Sequence, residues 1–273
     1  MGKISLKDKV VVITGASSGI GKACAVAFAK EGARVMLAAR DEVKLRNIVE
    51  EILKQGHTAS FCKTDVSHED DCRKLMEATI HEFGTIHVLI NNAGISMRAL
   101  FSEVDLKVIH QLMDINFWGT VNCTKYAMAE ILKNKGSIAG VSSIAGFKGL
   151  PGRTGYSASK FAMQGFLDAL RVENLKTGVH VMVVCPGYTA SNIRNTALNN
   201  QGQQQGDSPL DESKLMSAEE VAGYIVHGIV RSKRTVILTL QGKMTVLLNK
   251  FFPSFMDRMV YNVVSKDKDS PFK

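Results

Sequence analysis

A tyrosine and a lysine four residues apart, Tyr156 and Lys160, are the residues of this chain best placed to move a proton. On a helix, positions i and i+4 share a face, so this spacing brings an ammonium beside a phenol. Free tyrosine has a pKa of about 10, too high for ready proton exchange near neutrality. Lowering it to ~7 takes about 4 kcal/mol, and a lysine charge at ~4 Å in an effective dielectric of ~20 supplies about that much. The pair can therefore work as a general acid and base. The same spacing is also common on solvated helix faces, so the pair alone leaves both readings open.

The rest of the sequence supplies a frame for such a helix. β-branched runs without polar alternation recur at 9–14, 34–39, 58–62, 86–91, 136–141, 179–184 and 235–239. Strands covered on both faces read this way. Amphipathic stretches lie between them, including 19–31 and 42–54. Gly32, Gly84 and Gly178 each close a helix just before a strand, where a left-handed residue satisfies the last carbonyls. This alternation predicts right-handed crossovers and a single-domain, doubly wound parallel sheet of about seven strands, with helices on both faces. The domain spans 1–240, and 241–273 reads as an amphipathic helical extension of it. The segment 190–215 is polar and glutamine-rich, and reads as a lid or mobile loop.

The first strand runs into Thr14-Gly15-Ala16-Ser17-Ser18-Gly19-Ile20-Gly21 and then a helix. Glycines here let the backbone turn tightly and approach a pyrophosphate, whose charge meets amides at the helix N-terminus. At the end of the second strand, a carboxylate would bind an adenosine ribose 2′-hydroxyl, and a basic residue a 2′-phosphate. The chain has Ala39 and then Arg40 there, which favours NADP(H) over NAD. Asp41 follows, and reads as the cap of the next helix.

Composition narrows the alternatives. The 273 residues, 45% hydrophobic and 22% charged, suit a soluble globular domain with a sizeable core. The apolar pattern begins within a few residues of Met1, leaving no room for a signal peptide, and Leu6 stands where myristoylation of Gly2 would need Ser or Thr. Cys24, Cys62, Cys72, Cys123 and Cys185 are odd in number and scattered, which suits a reducing cytoplasm and neither a disulfide framework nor a metal site. The seven histidines show no ligand spacing. The net charge of +8 is spread among helices; its densest cluster, 231–234, reads as a helix end and solvated turn, and nucleic acid is not expected as a partner.

With the glycine turn, Asp65-Val66, Asn91-Asn92-Ala93-Gly94, Asn116, Ser143 and the Tyr156/Lys160 pair all in order, the chain resembles the short-chain dehydrogenase/reductase family over roughly residues 7–240. The resemblance implies that Tyr156 gives a proton to a carbonyl or takes one from an alcohol. Lys160 would lower the tyrosine pKa and hold the nicotinamide ribose, and Ser143 would hydrogen-bond the substrate oxygen. Asn116 would anchor a water in a proton relay. Cofactor contacts implied in the same way are Gly15, Ser17, Ser18, Gly19, Ile20, Gly21, Arg40, Asp65, Val66, Asn92, Ala93, Gly94, Pro186, Gly187 and Thr189. Ser191 replaces the threonine usual a little further along, which leaves that contact in doubt.

The resemblance places Ser96, Met97, Phe147, Leu150 and Tyr188 near the substrate, together with the 190–215 segment. Phe147, Leu150 and Met97 suggest an apolar pocket for a lipid-like, steroid-like or aromatic carbonyl, with ordinary core packing as the alternative. The segment around 147–160 and the chain after 241 are similar to the hydroxysteroid dehydrogenase-like and member 7B-like branch. The apolar stripe at 242–262 suits packing on a second subunit of a homodimer or homotetramer, or peripheral contact with a lipid surface through Lys243, Lys250 and Arg258. The reading is an oxidoreductase acting on CH–OH groups. A non-catalytic NADP sensor on the same fold is the alternative, although such a protein is expected to lose Tyr156, Lys160 or Ser143. A nucleotide-sugar epimerase or dehydratase would show another glycine spacing and a longer C-terminal domain.

Overall fold

Seven strands pair in the order β3-β2-β1-β4-β5-β6-β7, every pairing parallel, in a computed structural model that describes residues 4–189, 193–206, 215–266, 270 and 272. The strands are β1 (Val10–Thr14), β2 (Arg34–Ala39), β3 (Thr58–Lys63), β4 (Val88–Asn91), β5 (Ser137–Val141), β6 (His180–Cys185) and β7 (Thr235–Ile237). All seven fall on the runs expected from sequence. The order reverses between β1 and β4, and the crevice at the carboxyl ends of strands flanking such a switch is where open α/β sheets bind ligands.

Successive side chains of β1 serve the two faces in turn. Val11 and Ile13 join one core with helices α1 (Gly19–Lys30), α2 (Glu42–Lys54) and α7 (Ala218–Val230). Val10 and Val12 join the other with α3 (Glu69–Phe83), α5 (Gly119–Lys133) and α6 (Thr154–Glu173). Both faces of the sheet are thus covered, which is why its strands lack polar alternation. Gly32, Gly84 and Gly178 adopt φ of +82°, +82° and +84°, as their places behind helices require.

The short α4 (Leu106–Leu112) runs into a π-helical turn, Met113–Trp118, before α5. The segment expected to be a structureless lid is ordered over 193–206. Its Leu198 bridges both Met97 and Gln204, and Asp105 N donates to Asn200 O at 2.9 Å. Gly202 and Gly206, both near φ +82° to +83°, turn this stretch back on itself, so its glycines encode turns. Ser191 and the remainder of that segment, 190–192 and 207–214, lie outside the described residues.

The C-terminal extension forms two helices where one amphipathic stretch was expected: α8 (Leu240–Phe251) and α9 (Pro253–Val264). Pro253 is the cause, because it cannot continue a helix but suits the first position of the next. The inner face of α8 packs Gly242 against Ile144, and Asn249 Nδ2 donates to Phe147 O at 3.0 Å. Lys148 pairs with Asp257 of α9. On the opposite side Leu240, Met244, Leu247 and Phe251 form an outward apolar stripe. Among the described residues no helix is long and apolar enough to cross a membrane.

Candidate active site

One cavity of about 570 Å³ opens along the carboxyl ends of the strands, from the glycine turn after β1 to Tyr156 on α6. At the turn, Gly15 (φ +65°) and Gly19 (φ +51°) hold left-handed conformations. A Cβ on Gly21 would sit 2.2 Å from Gly15 O, and one on Gly15 would sit 2.8 Å from Ala93 Cα. Helix α1 begins at Gly19 with Ser18 extended and making no side-chain cap, so its first amides are not taken by a capping side chain. Thr14 Oγ1 accepts from the amides of Asn92 and Ala93, both at 3.0 Å. Asn92 Nδ2 donates to Thr14 O and Gly15 O at 2.9 and 3.2 Å. The Asn92 side chain therefore staples β1 to β4 and fixes the bend of the turn.

Further along, Ala39, Arg40, Asp65 and Val66 form the wall at the ends of β2 and β3. Asp41 caps α2 as expected: it accepts from Lys44 N at 3.1 Å and pairs with Lys44 Nζ at 3.0 Å. Burial pushes the Asp65 carboxyl up, but hydrogen bonds from Ser67 and the Arg40 charge more than offset this and leave it below the ordinary carboxylate value. Arg40 thus acts on this end of the cavity through its field, and it lines the wall without a carboxylate at position 39. These residues fit a dinucleotide: a backbone cradle that side chains would fill, amides at a helix start, and Arg40 at the adenosine end.

At the other end, Tyr156 and Lys160 lie on the buried face of α6, with Ser143 at the end of β5. Lys160 Nζ is 5.8 Å from the tyrosine ring centroid and donates to Val141 O at 2.9 Å. A Cβ on Gly94 would come within 3.3 Å of that nitrogen. Burial drops the lysine pKa to about 8. Burial also pushes the Tyr156 phenol above its ordinary value, with the Ser143 hydroxyl and the charges of Arg153 and Arg194 pulling partway back. The lowering expected from Lys160 is not found. Burial is the largest influence on the phenol, and it raises the pKa by favouring the uncharged form.

Gly15, Ser17, Ser18, Gly19, Ile20, Asn92, Ala93, Gly94, Pro186, Gly187 and Thr189 line the same cavity, and Gly21 and Asn116 stand behind its wall. Asn116 is fully buried in the π-helical turn. Its amide donates to Ile95 O at 3.0 Å and Ser159 Oγ at 2.9 Å, and its Oδ1 accepts from Ile95 N at 2.8 Å. It therefore ties the loop after β4 to the helix that carries Tyr156. Thr120 Oγ1 donates to its main-chain carbonyl at 3.0 Å, a partner within the widened turn.

Of the residues expected at the substrate end, Ser143 and Tyr156 line the cavity. Ser96, Met97, Phe147, Leu150 and Tyr188 do not line the cavity. Ser96 and Met97 are buried, Phe147 and Leu150 pack against core clusters, and Tyr188 is 40% exposed. The lining near Tyr156 also includes Ile95, Ile115, Ile193 and Leu198 with Gln111, Arg194, Thr196 and Gln204. Most of these come from a loop whose path depends on long-range pairing, so no local pattern announced them. Gln164 supports this end from the same helix as Tyr156. One turn beyond Lys160 on the same stripe, its Nε2 donates to Ser142 Oγ at 2.9 Å and reaches Ser143 O at 3.5 Å.

Comparison with known proteins follows this geometry. The sequence profile described as short chain dehydrogenase matches residues 9–202. The chain is 34% identical over 257 residues to "Dehydrogenase/reductase SDR family member 7B" of Xenopus tropicalis, covering 91% of this chain and 83% of that protein. It is 35% identical over 263 residues to "11-beta-hydroxysteroid dehydrogenase A" of Sesamum indicum, covering 93% and 75%. Among solved structures, a short-chain dehydrogenase/reductase of Burkholderia phymatum in complex with NAD superposes with a TM-score of 0.84 at 26% identity, covering 92% of this chain and 96% of that one.

Proposed function

The chain belongs to the short-chain dehydrogenase family of oxidoreductases, and from that premise we propose that it interconverts a carbonyl and a secondary alcohol with NADP(H), Tyr156 being the general acid and base. The observation that carries this reading is a buried phenol beside the Ser143 hydroxyl, at the far end of a cavity that begins in the glycine cradle. A bound nicotinamide would supply or accept the hydride. The residues of the chain do the rest. Backbone amides of the turn and of α1 would hold the phosphates, and Lys160 would hold the ribose. Ser143 would hydrogen-bond the substrate oxygen as charge develops on it. The phenol stays protonated at neutral pH. That form donates a proton to a carbonyl oxygen in the reductive direction.

Arg40, with Ala39 in place of a carboxylate, supports NADP over NAD, although the Burkholderia phymatum neighbour holds NAD. Comparing kcat/KM for NADPH and NADH in the native protein and in Arg40→Ala tests this; an unchanged ratio refutes it. The sensor reading is disfavoured because Tyr156, Lys160 and Ser143 are all in place. Tyr156→Phe should lower turnover by 10²–10⁴-fold while NADPH still binds. Equal turnover would remove the assignment of the acid.

A cytoplasmic setting is proposed on the odd, scattered cysteines of the sequence alone. The outward stripe of α8 supports packing on a second subunit of a homodimer or homotetramer. A Leu247→Glu variant that sediments as the native protein does would count against this.

A further inference from the structure

We infer that Asp257, on α9 and outside the cavity, is a positioning residue for Ser143: its ion pair with Lys148 latches the turn that aims the Ser143 hydroxyl. The inference rests on the reaction proposed above for what that hydroxyl does.

Ser143 and the helix of Tyr156 are joined by the loop 144–153, and the first turn of this loop sets the serine. Ser143 Oγ accepts from Ala145 N at 3.1 Å, and Ser143 O accepts from Gly146 N at 3.0 Å. Ile144 O accepts from Phe147 N and Lys148 N at 2.9 and 3.1 Å. The hydroxyl is therefore tied to the turn and follows it. Against α6 the turn has no room, since a Cβ on Gly146 would sit 2.2 Å from Gln164 Nε2. Three further contacts hold it from the C-terminal helices. A Cβ on Gly242 would lie 2.8 Å from Ile144 Cδ1, Asn249 Nδ2 donates to Phe147 O at 3.0 Å, and Lys148 Nζ pairs with Asp257.

The third contact differs in kind, because it meets a buried charge. The Lys148 side chain is 9% exposed and that of Asp257 69%. Among the described residues no other carboxylate pairs with this lysine. A buried ammonium without a partner is costly, and a lysine relieves that cost by carrying its charge into water. Here such a movement would draw 147–149 away from α6 and take the Ile144–Gly146 turn with it. Asp257 removes the drive for it by meeting the charge where it lies. No described residue of α9 lines the cavity, so Asp257 acts on the chemistry through Lys148 and the turn, without touching substrate or dinucleotide.

The test uses 4-nitrobenzaldehyde as the probe and NADPH oxidation as the assay. Asp257→Asn keeps the shape and removes the charge. Its kcat should fall roughly 10-fold, as displacement of a catalytic group implies, while the Kd for NADPH stays within about twofold of the native value. Asp257→Glu should recover most of the loss. Lys148→Met removes the charge that needs a partner, so adding Asp257→Asn to it should change kcat by less than about twofold. Hydrogen exchange gives a readout without turnover: in Asp257→Asn the amides of 145–148 should exchange roughly 10-fold faster, and those of 160–170 at the native rate. If Asp257→Asn does not fold, Lys148→Met with and without Asp257→Asn decides, and both should fold and turn over alike. Unaltered kcat or unaltered exchange in Asp257→Asn overturns the inference. So does an equal loss in the Lys148→Met background, as does NADPH affinity that weakens in step with kcat, which would make Asp257 a support of the whole fold. Faster exchange at 145–148 without reduction of the aldehyde by any form would sink the proposed reaction and leave this inference standing. Aldehyde reduction that is alike in native protein and Asp257→Asn would do the reverse.

Discussion

Replacing Lys160 with methionine should change how the stability of the cofactor-free protein depends on pH. The lysine is 2% exposed, and burial brings its pKa from 10.5 to about 8. That difference corresponds to about 3 kcal/mol. Because the folded value lies below the unfolded one, both states carry the proton below pH 8, and the fold bears the whole cost of burying the charge. Between pH 8 and 10.5 the folded lysine gives up its proton while the unfolded chain keeps it, so stability rises with pH at up to ~1.4 kcal/mol per unit.

The raw stability curve would hide this rise. Burial pushes the Cys24 and Cys185 thiols to about 12, and a hydrogen bond with Cys72 together with burial raises Cys123, so ionisation of these thiols in the unfolded chain lowers stability above the ordinary thiol value. Those losses are common to both proteins and cancel in the difference. Urea unfolding of native protein and Lys160→Met at intervals from pH 7 to 9.5 isolates the lysine. The methionine variant also loses the bond to Val141 O, which shifts the difference by a constant. The native-minus-variant difference should climb by roughly 2 kcal/mol across that window. A flat difference would refute the assignment of Lys160 as a buried, strained cation.

Two further outcomes follow from the same geometry. Gly21→Ala would set a methyl 2.2 Å from Gly15 O; at ~1–3 kcal/mol for such overpacking, NADPH affinity should fall roughly 10- to 100-fold, read by the fluorescence of bound NADPH, and unchanged affinity would dismiss the cradle. Gln164→Ala removes the donor that holds Ser142 Oγ and touches Ser143 O; kcat should drop about 5- to 10-fold with the KM for NADPH kept, and an unaltered kcat would show that Ser143 needs no such support.

Much of the frame was legible because it depends on local patterns. Unbroken β-branched runs declared a sheet covered on both faces, and glycines behind helices declared their ends. Asp41 declared itself a cap through its place before an amphipathic stretch. The C-terminal extension was half legible: its apolar content showed, but the stop imposed by Pro253 went unread. The catalytic end was legible as residue types and spacing, while its electrostatics were not. Spacing gives the distance between two groups but not the burial, which here raises the phenol's pKa. The substrate wall was least legible. Leu198, Thr196 and Gln204 reach the cavity through pairing with 96–98, a contact about a hundred residues away in the chain. A glutamine-rich string with two glycines gives no hint of that partner.

The stripe on α6 joins Tyr156 and Lys160 to Met163 and Leu167, which fill the second core. A Cβ on Gly140 would come within 2.4 Å of Leu167, so the helix is keyed into β5 like a tooth in a notch. It cannot roll without tearing hydrocarbon away from the sheet. Any on–off control of the chemistry must therefore come from the loops facing the crevice, and selection for a sturdier molecule and for a better-aimed phenol would act on the same few positions.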